Sequence, residues 1–142
     1  EPVGDLKVKS SALHGITIEP EDIPSAIDEI PILSLAAAFA EGETLIRGAQ
    51  ELRKKESDRI AAIISYLRTL GVDIIETDDG MIIKGGLSRL KGGVVQSFKD
   101  HRIAMSAAIA GLVSEEPVII QDAGCIEISF PGFDELLFSL TK

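Results

Sequence analysis

The run PILSLAAAFAEG leads directly into ETLIRGA, and further on HRIAMSAAIAGL is followed by PVIIQDA. Each time, a helix built mostly from small residues precedes a short β-favouring run. The second such run lies roughly 74 residues after the first, a self-similarity that limits the possible folds more than any other feature of the chain. The chain therefore reads as two related units, about 1–86 and 87–142. Each is helix–strand–helix with flanking strands, and the second is cut short after its last helix. Strands alternating with helices give an α/β or α+β architecture.

The remaining elements fit that frame. Strands are expected near 5–9 and 14–18, with a helix opening at Pro31 and stopping at Gly42. TLIRGA, residues 44–49, is a strand. The clearest helix spans 57–70, where Ile60, Ile63, Ile64, Leu67 and Leu70 form one apolar stripe and Gly71 stops it. VDIIET and MIIKG flank Asp79-Gly80, a strong hairpin signal. The chain closes with a helix in FPGFDELLFSL.

Bulk chemistry excludes several classes. Fourteen Lys and Arg against 23 Asp and Glu give a net charge of −9, which repels nucleic acid and anionic membranes. No apolar run is long enough to span a membrane as a helix. Cys125 is the single cysteine, so no internal disulfide can form; a reducing compartment and a buried structural thiol are expected. His14 and His101 have no neighbouring Cys or His, so no metal site is expected. The opening EPVGDLKV carries no leader and reads as the continuation of a longer chain.

RKKESDR, residues 53–59, is where chemistry first suggests itself. A helix start exposes unpaired N–H groups and disfavours cations. Lys54, Lys55 and Arg59 nevertheless stand there, and Lys55 and Arg59 would share a side if the helix begins that early. In KDHRIAM, Asp100 suits an N-cap, and His101 and Arg102 fill the first turn. A bound anion would relieve both helix starts. Neighbouring acids such as Glu56 and Asp58 would do so equally well. Asp28, just before Pro31, taken alone reads as that helix's cap.

KESDR, DHRIAM and SFPGF, together with GDLKVKSSALHGITIEPEDIPSAIDEIPILSLAAAFAEGETLIRGA, resemble the C-terminal third of the 5-enolpyruvylshikimate-3-phosphate synthase family along essentially all 142 residues. The resemblance implies an enolpyruvyl transferase fold. That fold has two domains, each an inside-out α/β barrel of three βαβαββ units, and this chain would supply the last two units of the second domain. It implies a cytoplasmic enzyme that moves the enolpyruvyl group of phosphoenolpyruvate to the 5-hydroxyl of shikimate 3-phosphate and releases phosphate. No metal or organic cofactor is implied. The N-terminal part of the same enzyme would be the partner, and the chain alone would be inactive.

By the same resemblance, Asp28 is the base for the attacking hydroxyl and Glu56 the acid that protonates the methylene carbon. Lys55 lies near the shikimate side, Arg59 and Arg102 hold the phosphoenolpyruvate carboxylate, and His101 sits beside that grip. Two positions depart from the family pattern. Ile128 stands where many members have a phosphate-binding Lys, and Glu51 where many have Asn, so Glu51 is given no binding role. The sister transferase acting on UDP-N-acetylglucosamine shares the fold and the Asp, but KESDR and DHR favour the shikimate branch. A non-catalytic anion-binding module is the alternative from another class.

Overall fold

The structure is a computed structural model that describes residues 3–141. Its first part runs β1 (Thr17–Ile18), α1 (Ile23–Ala26), α2 (Ile30–Ala37), β2 (Glu43–Ile46), a 3₁₀ turn (Gln50–Lys54), α3 (Arg59–Thr69), β3 (Asp73–Glu76) and β4 (Met81–Lys84). The second part runs β5 (Gly93–Gln96), α4 (His101–Gly111), β6 (Val118–Gln121), α5 (Cys125–Ser129) and α6 (Phe133–Leu140).

Four strands form one sheet in the order β1-β2-β4-β3, with β1 parallel to β2 and the β3–β4 hairpin antiparallel. Strands β5 and β6 form a second, parallel pair. Each parallel pair is joined through helix, as a parallel connection requires.

The apolar stripe on α3 is the heart of the core. Ile60, Ile63, Ile64, Leu67 and Leu70 are all buried, as the helical spacing predicts. Helix α2 packs against both α3 and α4. Ala104, Ala107 and Ala110 on α4 are fully buried, and small side chains let helices approach closely. The Tyr66 hydroxyl donates to the Pro31 carbonyl at 3.1 Å, which fixes the start of α2 against α3. Burial pushes the Tyr66 phenol's pKa upward.

Several expectations are corrected. No strand forms over 5–9; Val3, Leu6 and Val8 lie exposed. Leu6 and Val8 alternate with charged residues as a strand face would, but a strand also needs a neighbour for its backbone, and none among the described residues pairs with it. The helix expected to run from Pro31 to Gly42 ends at Ala37, and Gly42 (φ +92°) lies in the following turn. The helix expected from residue 57 starts at Arg59, capped by Asp58. Lys55 is extended (φ −83°, ψ −162°), so it and Arg59 do not share a helical face. Strand β5 carries little strand signal in its sequence, because Gly92 and Gly93 stand directly before its two valines. Cys125 is only partly buried, on a helix with no buried residue.

The hairpin turn runs beside the end of β2, where Ile46 pairs with Met81, so closely that a Cβ on Gly80 would lie 1.9 Å from the Ile46 carbonyl oxygen. Backbone cannot yield as a flexible side chain does. Gly80→Ala should therefore cost about 1–3 kcal/mol, read as a lower urea midpoint; an unchanged midpoint would contradict this packing.

Candidate functional site

Three helix starts converge. Asp28 lies two residues before α2, Arg59 is the first residue of α3, and Arg102 is the second of α4. The Asp28 carboxylate bridges the two guanidiniums with one oxygen for each. Oδ1 accepts from Arg59 Nη1 at 2.9 Å and Oδ2 from Arg102 Nη2 at 3.1 Å. Arg102 Nη1 also donates to the Asp28 carbonyl at 3.0 Å. Asp28 is thus no helix cap; Glu29 holds that position for α2, and its side chain makes no capping bond.

Arg59 is 1% exposed and ringed by acid. Its Nη2 donates to Glu56 Oε2 at 2.7 Å, and its Nε to Asp100 Oδ2 at 2.8 Å. Asp100 caps α4 as expected, accepting from the Arg102 and Ile103 N–H groups. Its bond to Arg59 was not legible in the sequence, because it spans 41 positions. Ser57, whose hydroxyl donates to Asp100 Oδ2 at 3.0 Å, carried no signal either.

The remaining candidates sit around this centre. Lys55 is exposed, and its charge is felt at Asp28. Glu56 is about half exposed. His101 is partly buried at the first position of α4, and its ring makes no hydrogen bond among the described residues. Glu51 lies on the surface, 4.0 Å from Lys54. Ile128 is 86% exposed and offers no charge. Beside Asp28 and Arg102 opens a recess of about 140 Å³, whose apolar walls are Ile32, Met105, Ile109 and Phe133. Among the described residues, no three His, Cys, Asp or Glu side chains cluster as a metal site would need, and no helix is long and apolar enough to cross a membrane.

The electrostatics follow from this geometry. Burial alone would raise the Asp28 pKa. The Arg59 hydrogen bond and the charges of Arg102, Arg59 and Lys55 outweigh it and hold the carboxyl below its ordinary value. For Asp100, burial again raises, while Arg59, the Arg102 N–H and the Ser57 hydroxyl together lower further. Burial would lower the pKa of Arg59, but Asp100, Asp28 and Glu56 raise it.

Two depressed carboxylates fix the sign of a pH effect. Their stabilisation is complete above the ordinary value of 3.8 and is lost as pH falls through their lower folded-state values. Asp28 is 41% exposed, so solvent screening makes Asp100 the main contributor. Stability should stay level from about pH 7 to 5 and fall steeply below about pH 4, as followed by urea midpoints. A midpoint that rises on acidification would contradict the ion pairing.

The family model for EPSP synthase (3-phosphoshikimate 1-carboxyvinyltransferase) matches residues 1–137. The 3-phosphoshikimate 1-carboxyvinyltransferase of Desulforudis audaxviator is 57% identical over 140 residues, covering 99% of this chain and 32% of that protein. That of Persephonella marina is 56% identical over 138 residues, covering 96% of this chain and 32% of its own length. An EPSP synthase structure from Acinetobacter baumannii superposes with a TM-score of 0.86 at 43% identity, over 90% of this chain and 30% of that one. The chain thus spans about a third of the length of the relatives it matches.

Proposed function

The chain belongs to the EPSP synthase family, with the α/β enolpyruvyl transferase fold, and on that premise we propose that it carries one wall of an enolpyruvyl-transfer site. The reaction moves the enolpyruvyl group of phosphoenolpyruvate to the 5-hydroxyl of shikimate 3-phosphate and releases phosphate, a step of aromatic amino acid biosynthesis. The observation that carries this reading is the Asp28 carboxylate lying between the guanidiniums of Arg59 and Arg102. Two arginines that hold one carboxylate can hold another.

Arg102, with 32% of its side chain exposed, meets the incoming phosphoenolpyruvate carboxylate first. Arg59 is reachable only once Asp28 or Glu56 gives way. The ligand carboxylate takes over the guanidinium contacts, and Asp28 is released. A carboxylate freed from two cations is a stronger base, suited to taking the proton of the attacking hydroxyl. Glu56, a carboxylate while it pairs with Arg59, takes up a proton from solvent once that contact breaks and gives it to the methylene carbon; the adjacent carbon becomes cation-like, and the hydroxyl oxygen bonds to it. The tetrahedral intermediate then loses phosphate and returns one methyl proton to the Glu56 carboxylate, which restores the double bond. Lys55 faces the shikimate side, and His101 flanks the carboxylate grip. Ile128 cannot neutralise phosphate, so that charge is met by other residues.

The same reading divides the chain into two units, about 1–86 and 87–142. The order β1–α2–β2–α3–β3–β4 supports this, since β5–α4–β6–α6 repeats it without the final hairpin. The other wall comes from the N-terminal part of the enzyme, and the relatives' threefold greater length supports this. The setting we propose is the cytoplasm.

The test is a chimera in which residues 1–142 replace the matching third of the Desulforudis audaxviator relative. It should release phosphate from phosphoenolpyruvate with shikimate 3-phosphate and not with UDP-N-acetylglucosamine. Chain 1–142 alone should show no turnover. In the chimera, Arg102→Ala should raise the KM for phosphoenolpyruvate about tenfold or more, with a smaller change in kcat. A folded chimera without phosphate release, or an Arg102→Ala variant with unaltered KM, would refute the proposal.

A further inference from the structure

We propose that Asp100 is a positioning residue that sets Arg59 and Arg102 as a matched pair, a role beyond capping α4. The inference rests on the reading that these two guanidiniums flank the ligand carboxylate. A cap needs one acceptor oxygen, and Ser or Asn would supply it without burying a charge. Asp100 is 0% exposed and uses both oxygens. Oδ1 accepts from the Arg102 N–H at 2.9 Å and from the Ile103 N–H at 3.5 Å. Oδ2 accepts from Arg59 Nε at 2.8 Å and from the Ser57 hydroxyl at 3.0 Å. A single rigid group thus fixes the backbone at one arginine and the side chain of the other. It lies too deep to touch a ligand itself.

The turn that presents Asp100 carries independent support. Phe98 and Lys99 have φ of +54° and +59°, two consecutive non-glycine residues in the left-handed region. Such strain persists only where the surroundings enforce it, and it gathers at functional sites. Here fully buried Ser97 enforces it. The Ser97 hydroxyl donates to the Asp122 carbonyl at 3.1 Å and accepts from the Lys99 N–H at 3.0 Å. The Asp100 N–H donates to the Ser97 carbonyl at 3.0 Å. The turn is pinned so that the carboxylate arrives at one place.

Asp100→Asn in the 142-residue chain separates positioning from capping, because Asn caps as well as Asp. Two NMR readouts apply: solvent exchange at Arg59 Nε–H, and titration with pyruvate as a carboxylate probe. Removing a negative charge would by Coulomb's law strengthen anion binding. Positioning predicts the reverse, with pyruvate affinity down about fivefold and Nε–H exchange about tenfold faster. Unchanged or tighter binding with unchanged exchange would overturn the proposal. Should Asp100→Asn fail to fold, Ser57→Ala removes one donor to Oδ2 and leaves every charge in place. It should weaken pyruvate about twofold to threefold and speed the same exchange, and parent-like values in both would overturn the proposal. The exchange readout needs no ligand. It still judges Asp100 if the parent chain binds no pyruvate, a result that would count against the proposed function alone.

Discussion

Arg59→Ala should destabilise the fold by about 3–5 kcal/mol, the largest loss expected from any single substitution at the site. Asp28 and Glu56 are partly exposed and can turn to water once the guanidinium is gone. Asp100 cannot; at 0% exposure it is left as a buried carboxylate with only the Ser57 hydroxyl and backbone N–H groups. Domains of this size are stable by only about 5–15 kcal/mol, so the variant should lie near its unfolding threshold at room temperature. Urea titration reads this directly, and a loss below about 1 kcal/mol would show that Arg59 is not the hub of the cluster. Adding Asp100→Ala to Arg59→Ala should cost less than the two single losses summed, because the stranded charge goes with it.

Asp28→Ala is the second. In the chimeric enzyme, turnover should fall about 10²–10⁴-fold, the usual loss of a general base. In the isolated chain, affinity for pyruvate should hold or rise. Asp28 occupies both guanidiniums, and removing it removes their internal competitor. Activity and binding moving in opposite directions would be hard to obtain from simple damage to the fold. Weakened pyruvate binding together with near-normal turnover would mean that Asp28 shapes the binding site and performs no proton transfer.

The elements that announce themselves locally were legible. The α3 stripe, the Asp79-Gly80 hairpin and the two small-residue helices all follow from spacing along the chain. Arg59 and Arg102 drew notice in the sequence because cations at a helix start are electrostatically out of place, and both do stand in the first turn of a helix. What compensates them was not legible. The sequence left open whether an anion or neighbouring acids would do so. In the structure Asp28, Glu56 and Asp100 surround Arg59. Only Glu56 is a near neighbour in sequence; the other two arrive through tertiary packing. The expected strand at 5–9 failed for the converse reason, since a pattern seen along the chain cannot supply a partner strand.

The bonds that assemble the site close loops of 31, 41 and 74 residues. Ordering such loops costs entropy before the contact repays it, so contacts of this kind come late in folding. The α3 helix and the β3–β4 hairpin can form early from neighbours in sequence, whereas the Asp28–Arg102 contact must close a loop of 74 residues, about half of the chain. Until the long loops close, the carboxylates of Asp28 and Asp100 stay apart from Arg59, and only Glu56, three residues away in sequence, can pair with it locally. In a refolding experiment, protection at Arg59 Nε–H should therefore lag behind that of the α3 backbone amides.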